Sequence, residues 1–214
     1  MTRQFTGLDP GRVRTDLERV HERIAAAGRD PADVEVCVAT KYLAADQLPV
    51  LAEAGVRVVG ENRAQDLAAK QALHGDLFEW DFIGALQSRK VKEIAPLVRL
   101  IHSVASESAL AQLARHPLPE VLVQVNVAGE QGKAGVAPAA LAEFIAAAPV
   151  PVTGLMTMPP FVERPEDSRR HFARLAELAA EHDLARLSMG TTQDYEVAVA
   201  EGATIIRLGT ALLG

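Results

Sequence analysis

The chain holds a single cysteine, Cys37, so no disulfide can form within its 214 residues. The thiol lies inside an apolar run, which fits a small buried side chain in a reducing compartment. Aromatic residues are scarce at 4%, and abundant alanine suggests closely packed helices. Basic residues are in deficit: the formal net charge of -6 argues against a nucleic-acid backbone as partner, since such binding needs clustered lysine and arginine. The opening "MTRQFTGLDPGRVRTDLERV" has no apolar core of a secretory signal, and no segment reaches the roughly 18 apolar residues of a membrane span. The cytoplasm is the expected location, with no membrane partner. The six histidines (21, 74, 102, 116, 171 and 182) show no metal-ligand spacing and have no cysteine partners, so all are expected to be structural or at the surface.

Two further absences restrict the fold and its ligands. The segment "ATKYLAADQ" has no glycine, whereas a doubly wound dinucleotide fold needs a glycine-rich first turn. The segment "GEQGKAG" at 129–135 has glycines spaced three apart where a phosphate loop needs five, and Ala134 stands where such a loop holds a magnesium-binding hydroxyl.

What is present is a regular alternation. Val13, Leu17, Val20 and Ile24 recur at helical spacing and predict a helix over 11–27 that stops at Gly28. Eight short apolar runs follow: 34–40, 56–60, 78–84, 99–104, 121–127, 152–158, 186–190 and 204–209. Helical stretches separate them. Near-continuous apolar strands alternating with helices predict a parallel sheet, and eight such units close a (β/α) barrel with the first helix as an extra layer. The chain is expected to form one domain, 1–214.

In such a barrel, chemistry sits at the C-terminal ends of the strands. Those ends carry Lys41, Glu61, Asn62, Gln87, Ser103, Asn126, Thr157, Ser188 and Arg207. "VEVCVATK" ends on a lysine; desolvation there would leave more neutral, nucleophilic amine for a carbonyl substrate or pyridoxal phosphate (PLP), while a solvated charge is the plainer alternative. "SMGTTQD" and "RLGTALLG" pair glycines with hydroxyls in the seventh and eighth loops, where barrels hold phosphate, with a helix expected to begin at Thr191, Thr192 or Gln193. Arg207, flanked by Ile206 and Leu208, needs a partner for its burial, either a pyridine nitrogen or a carboxylate such as Glu61.

The blocks "VATK", "GENRAQD", "WDFIGALQSRK", "NVAGEQGKAG", "GLMTMPP", "SMGTTQDYEVAVAEGAT" and "RLGTALLG" occur in order along nearly the whole chain, which resembles the pyridoxal phosphate homeostasis protein family. The resemblance implies the barrel of the alanine racemase N-terminal domain (PLP fold type III), with PLP held as a Schiff base on Lys41. By it, Ser188, Gly190, Thr191, Gly209 and Thr210 surround the phosphate, Arg207 faces the pyridine nitrogen, Asn62 lies near the ring oxygen and Met156 lines the pocket. Lys133 matches the family's loop lysine. The chain departs from the family pattern at Asp81, where histidine is usual, and at Thr191 and Thr192, where methionine and serine are common; Asp81, before the strand tip, is expected to have little effect.

The function implied is intracellular PLP homeostasis without turnover: buffering the cofactor, or delivering it to PLP-dependent apoenzymes, as a monomer. Racemases of this barrel type add a β-domain with a second catalytic base, for which the chain is expected to have no room. The alternatives are a PLP racemase of weak activity, a cofactor-free Schiff-base aldolase, or a sugar-phosphate isomerase that would use Glu61.

Overall fold

The computed structural model describes residue 5 and residues 7–214. Its first helix, α1 (Pro10–Ala26), starts one residue before the apolar spacing predicts. The Asp9 carboxylate accepts the Arg12 N–H at 2.7 Å, and Pro10 takes a first-turn position that needs no N–H. Val13, Val20 and Ile24 form its buried face.

Eight strands follow: β1 (Glu35–Ala39), β2 (Val58–Glu61), β3 (Glu79–Phe82), β4 (Leu100–Val104), β5 (Val121–Gln124), β6 (Val152–Met156), β7 (Arg186–Thr191) and β8 (Ile205–Leu208). Each pairs in parallel with the next, and β8 closes on β1 with Cys37 opposite Arg207. This is the expected closed (β/α) barrel. Helices α2 (Leu48–Glu53), α3 (Ala64–His74), α4 (Val91–Ile94), α5 (Glu107–Leu113), α6 (Leu141–Ala146), α7 (Arg169–Glu181) and α8 (Tyr195–Ala200) alternate with the strands, and α9 (Thr210–Leu213) follows β8.

The two-residue period of the strands sorts their side chains. Cys37, Val58, Leu100, Leu122, Met156 and Ile205 point inward and fill the barrel. Val38, Val59, Ile101, Val123 and Ile206 belong to the larger cluster shared with the helices. Among the described residues, no helix is long and apolar enough to cross a membrane.

The seventh loop differs from expectation. The helix after β7 begins at Tyr195 rather than between Thr191 and Gln193. Asp194 explains the delay: its carboxylate accepts the Thr191 N–H at 2.8 Å and the Thr191 hydroxyl at 3.1 Å, while its other oxygen accepts from Ser168. These bonds hold residues 191–194 as a turn before the helix can start.

Candidate functional site

A cavity of about 370 Å³ opens at the C-terminal ends of β1, β2, β7 and β8. Of the expected site residues, Lys41, Asn62, Thr191, Arg207, Gly209 and Thr210 line it. Thr192 and Gln193, named as possible starts of the helix after the seventh strand, line it as well, and sequence reasoning did not single out Tyr42, Ile83 or Met158, which line it too. The volume falls in the range of small-molecule sites.

Lys41 stands at the lip. It is exposed, so the desolvation expected of it is not present, and its ammonium lies 4.7 Å from the centroid of the Tyr42 ring. The backbone beneath it is fixed by a buried ion pair. Lys70 on α3, 6% exposed, pairs with the fully buried Glu61 and donates to the Thr40 carbonyl at 2.8 Å. Glu61 also accepts the Thr40 hydroxyl at 2.7 Å and the Asn62 N–H at 3.2 Å. One carboxylate thus ties together the residues just before Lys41 and at Asn62, and it is committed to this cluster rather than to Arg207.

Asn62 presents a buried side-chain oxygen with no hydrogen-bond partner among the described residues. An unsatisfied buried acceptor costs on the order of 1–3 kcal/mol, so its presence on a cavity wall marks a place for a donor from a ligand. Its position is set by close packing: a Cβ at Gly84 would lie 2.0 Å from the Asn62 carbonyl oxygen, so glycine is required where β3 leaves the barrel.

Arg207 is 5% exposed and has no carboxylate partner among the described residues. It donates to the Ser188 hydroxyl at 2.5 Å, to the Thr157 carbonyl at 2.9 Å and toward the Met158 sulfur at 3.0 Å. Burial pushes its pKa down from 12.5 to about 10, with the nearby Cys37 and Asp194 opposing the change. That depression corresponds to a cost on the order of 3 kcal/mol for holding the charge there.

The hydroxyl facing the eighth loop belongs to Thr192, not Thr191. Its oxygen accepts the backbone N–H groups of Gly209 and Ala211, both at 3.3 Å. Two amides converging on one oxygen form an arrangement that suits a phosphate oxygen.

Three expected residues lie outside the cavity wall. Met156 is 2% exposed and belongs to the apolar filling of the barrel; Met158 reaches the cavity instead. Ser188 is fully buried beneath Arg207. Gly190, at φ +90°, is required for packing, because a Cβ there would lie 2.6 Å from that of Ala198. Other rim candidates serve their own loops: Ser103 donates to the Gly84 carbonyl, Thr157 to the Val125 carbonyl, and Asn126 bonds Glu130 in both directions. Lys133 is exposed, pairs with Glu130 at 2.6 Å and does not line the cavity.

Asp81 was expected to have little effect, and His102 to be structural or at the surface. Both are fully buried inside the barrel, and Asp81 bonds His102 at 3.1 Å and Arg99 at 2.9 Å. Burial favours the protonated acid, but hydrogen bonds from His102 and Arg99 outweigh it and hold the Asp81 carboxyl below its usual range. Burial lowers the pKa of His102, with Asp81 opposing.

The family model described as "Alanine racemase, N-terminal domain" matches residues 15–214. The chain is 38% identical over 219 residues to the pyridoxal phosphate homeostasis protein of Aquifex aeolicus, covering 95% of this chain and 96% of that protein. It is 41% identical over 209 residues to the protein of the same name from Pseudomonas aeruginosa, covering 92% of this chain and 90% of that one. The PipY structure from Synechococcus elongatus, determined with PLP bound, superposes with a TM-score of 0.76 at 33% identity, covering 91% of this chain and 100% of that one. The chain therefore belongs to the pyridoxal phosphate homeostasis protein family, on the barrel of the alanine racemase N-terminal domain.

Proposed function

We propose that this protein binds pyridoxal 5'-phosphate through Lys41 and serves cofactor homeostasis, buffering PLP or delivering it to PLP-dependent apoenzymes, without turnover of its own. The observation that carries this reading is the convergence on one cavity of a reachable amine, a partnerless buried oxygen on Asn62, an arginine without a carboxylate, and two amides aimed at one oxygen. The PLP-bound PipY relative supports the same assignment.

When bound, the cofactor supplies an aldehyde that condenses with an amine and a ring that withdraws electrons. The residues present fit it. Lys41 provides the amine at the lip. Asn62 accepts a hydrogen bond from the ring hydroxyl, which removes the cost of its bare oxygen. The N–H groups of Gly209 and Ala211, which now donate to the Thr192 hydroxyl, would turn to a phosphate that took the place of that oxygen, with the Thr210 hydroxyl beside them. Arg207, a donor lining the cavity, would face the ring nitrogen, and since guanidinium does not give up its proton readily, that nitrogen would stay unprotonated and the ring would be a poorer electron sink. A poor sink disfavours carbanion chemistry and suits a carrier. We assign the whole chain to one cofactor-binding domain, acting as a cytoplasmic monomer.

Tyr42 is the feature that keeps a weak racemase as the second reading, because racemisation needs a second proton-bearing group besides the lysine and Tyr42 lines the same cavity. The test is an absorbance spectrum of the protein mixed with PLP. A visible band absent in Lys41→Ala, with no racemisation of alanine by the wild-type protein, supports the carrier. Steady racemisation would overturn it.

A further inference from the structure

The interior of the barrel holds a line of polar groups from one mouth to the other. Arg99, at the N-terminal mouth, donates to Asp81 at 2.9 and 3.1 Å. Asp81 meets Nε2 of His102 at 3.1 Å, and Nδ1 of His102 meets the Ser188 hydroxyl at 2.8 Å. Arg207 donates to the same hydroxyl oxygen at 2.5 Å and lines the cavity. Asp81, His102 and Ser188 are completely buried, so their polar atoms need partners.

The chemistry of the two ends fixes the direction of every bond between them. Guanidinium only donates, so Ser188 accepts from Arg207 and must send its own proton to His102 Nδ1. His102 is then neutral, with its single N–H on Nε2 pointing at Asp81, which accepts from both sides as a carboxylate. All donors have acceptors in this arrangement alone. A second proton on His102 would turn Nδ1 into a donor to the Ser188 oxygen and leave the Ser188 proton without a partner among the described residues.

Resting on the PLP reading above, we propose that Asp81, His102 and Ser188 are positioning residues for the cofactor ring, holding Arg207 in one orientation. The lowered pKa of His102, caused first by burial, agrees with a neutral ring. The charged groups acting on His102 are Asp81, Arg207 and Arg186; the titratable groups acting on Arg207 are Asp194 and Cys37, whose thiol burial keeps protonated. The role goes beyond that of Arg207 itself. It assigns a function to Asp81, which lies before the strand tip and outside the cavity wall.

Two measurements test the proposal. In the cofactor-free protein, nitrogen NMR of the His102 side chain should report a neutral ring with the proton on Nε2 between about pH 6 and 8. Asp81→Asn, whose amide can donate to Nε2, should move that proton to Nδ1. A charged ring, or an Nδ1 proton in the wild type, would overturn the assignment. In the PLP-loaded protein, Ser188→Ala should still be labelled on Lys41 by borohydride, yet bind PLP about tenfold more weakly and shift the pH midpoint of its visible band by about one unit. Asp81→Asn should shift that midpoint as well, and Ser188→Thr, which keeps the hydroxyl, should restore it. Wild-type affinity and titration in Ser188→Ala and Asp81→Asn would remove the positioning role while leaving PLP binding intact. Failure of the wild type itself to be labelled on Lys41 would remove both readings.

Discussion

At the N-terminal mouth of the barrel, charges meet charges: Arg99 reaches Glu35, Glu79 and Asp81, and Arg186 reaches Glu35 and Glu120. At the C-terminal mouth, Arg207 has a hydroxyl, a carbonyl and a sulfur, and Asn62 has a bare oxygen. Size does not separate the two ends, since a cleft of about 480 Å³ bordered by Glu35, Arg57, Glu79 and Arg99 exceeds the cavity beside Lys41. Satisfaction does. One end pairs its charges with each other and serves stability; at the other, Arg207 has no carboxylate partner among the described residues and the Asn62 oxygen has no donor, at a cost that a ligand can offset.

The comparison can be broken from either side. The largest effect is expected at Lys70, whose replacement by methionine strands the buried Glu61 carboxylate and should cost about 3–5 kcal/mol in urea unfolding, with a parallel loss of PLP attachment as Thr40 and Asn62 come loose. An unchanged unfolding midpoint would mean that Glu61 is not held as an ion.

Acid should act next. His102 has a folded pKa below its ordinary 6.5, so the unfolded chain takes up the proton first. Its contribution is complete above about pH 6.5 and lost as pH falls through that value, at about 1.4 kcal/mol per pH unit while the imbalance lasts. Thermal unfolding followed from pH 8 to 5 checks this, and His102→Phe should flatten the upper part of the decline.

Arg207→Met should have the opposite sign. Removing a buried cation without a carboxylate should stabilise the cofactor-free barrel by about 1 kcal/mol while weakening PLP binding, a split that thermal unfolding and absorbance titration measure separately. Glu79→Ala should do least. Glu79 is 44% exposed on its side chain and Arg99 keeps its other partners, so the change should stay within about 1 kcal/mol.

Much of this was legible in the sequence, because it depends on local periodicity. Alternation in "VEVCVAT" separates inward Cys37 from outward Val38, and the strand ends place Lys41, Asn62 and Arg207 at one mouth. What escaped depends on register and on distant pairing. The pairing of β7 with β8 shifts between Ser188 and Thr191, so Ser188 stays below Arg207 while Thr192 presents its hydroxyl to Gly209 and Ala211. A slip of one residue moves a side chain to the other face, and the alternation of "RLSMGTT" does not reveal where it falls. Lys70 did leave a signal: Ala64, Leu67 and Lys70 are the buried residues of α3 at three-residue spacing, so a lysine sat where an apolar residue belongs. The Asp81–His102 contact joins residues 21 apart on neighbouring strands, and nothing local announces it.

The account rests on a covalent bond between one side chain and one vitamin. Protein incubated with PLP, reduced with borohydride and digested should show the pyridoxyl phosphate mass on the peptide carrying Lys41 and on no other. Label spread over the exposed lysines, or none on Lys41, would contradict it.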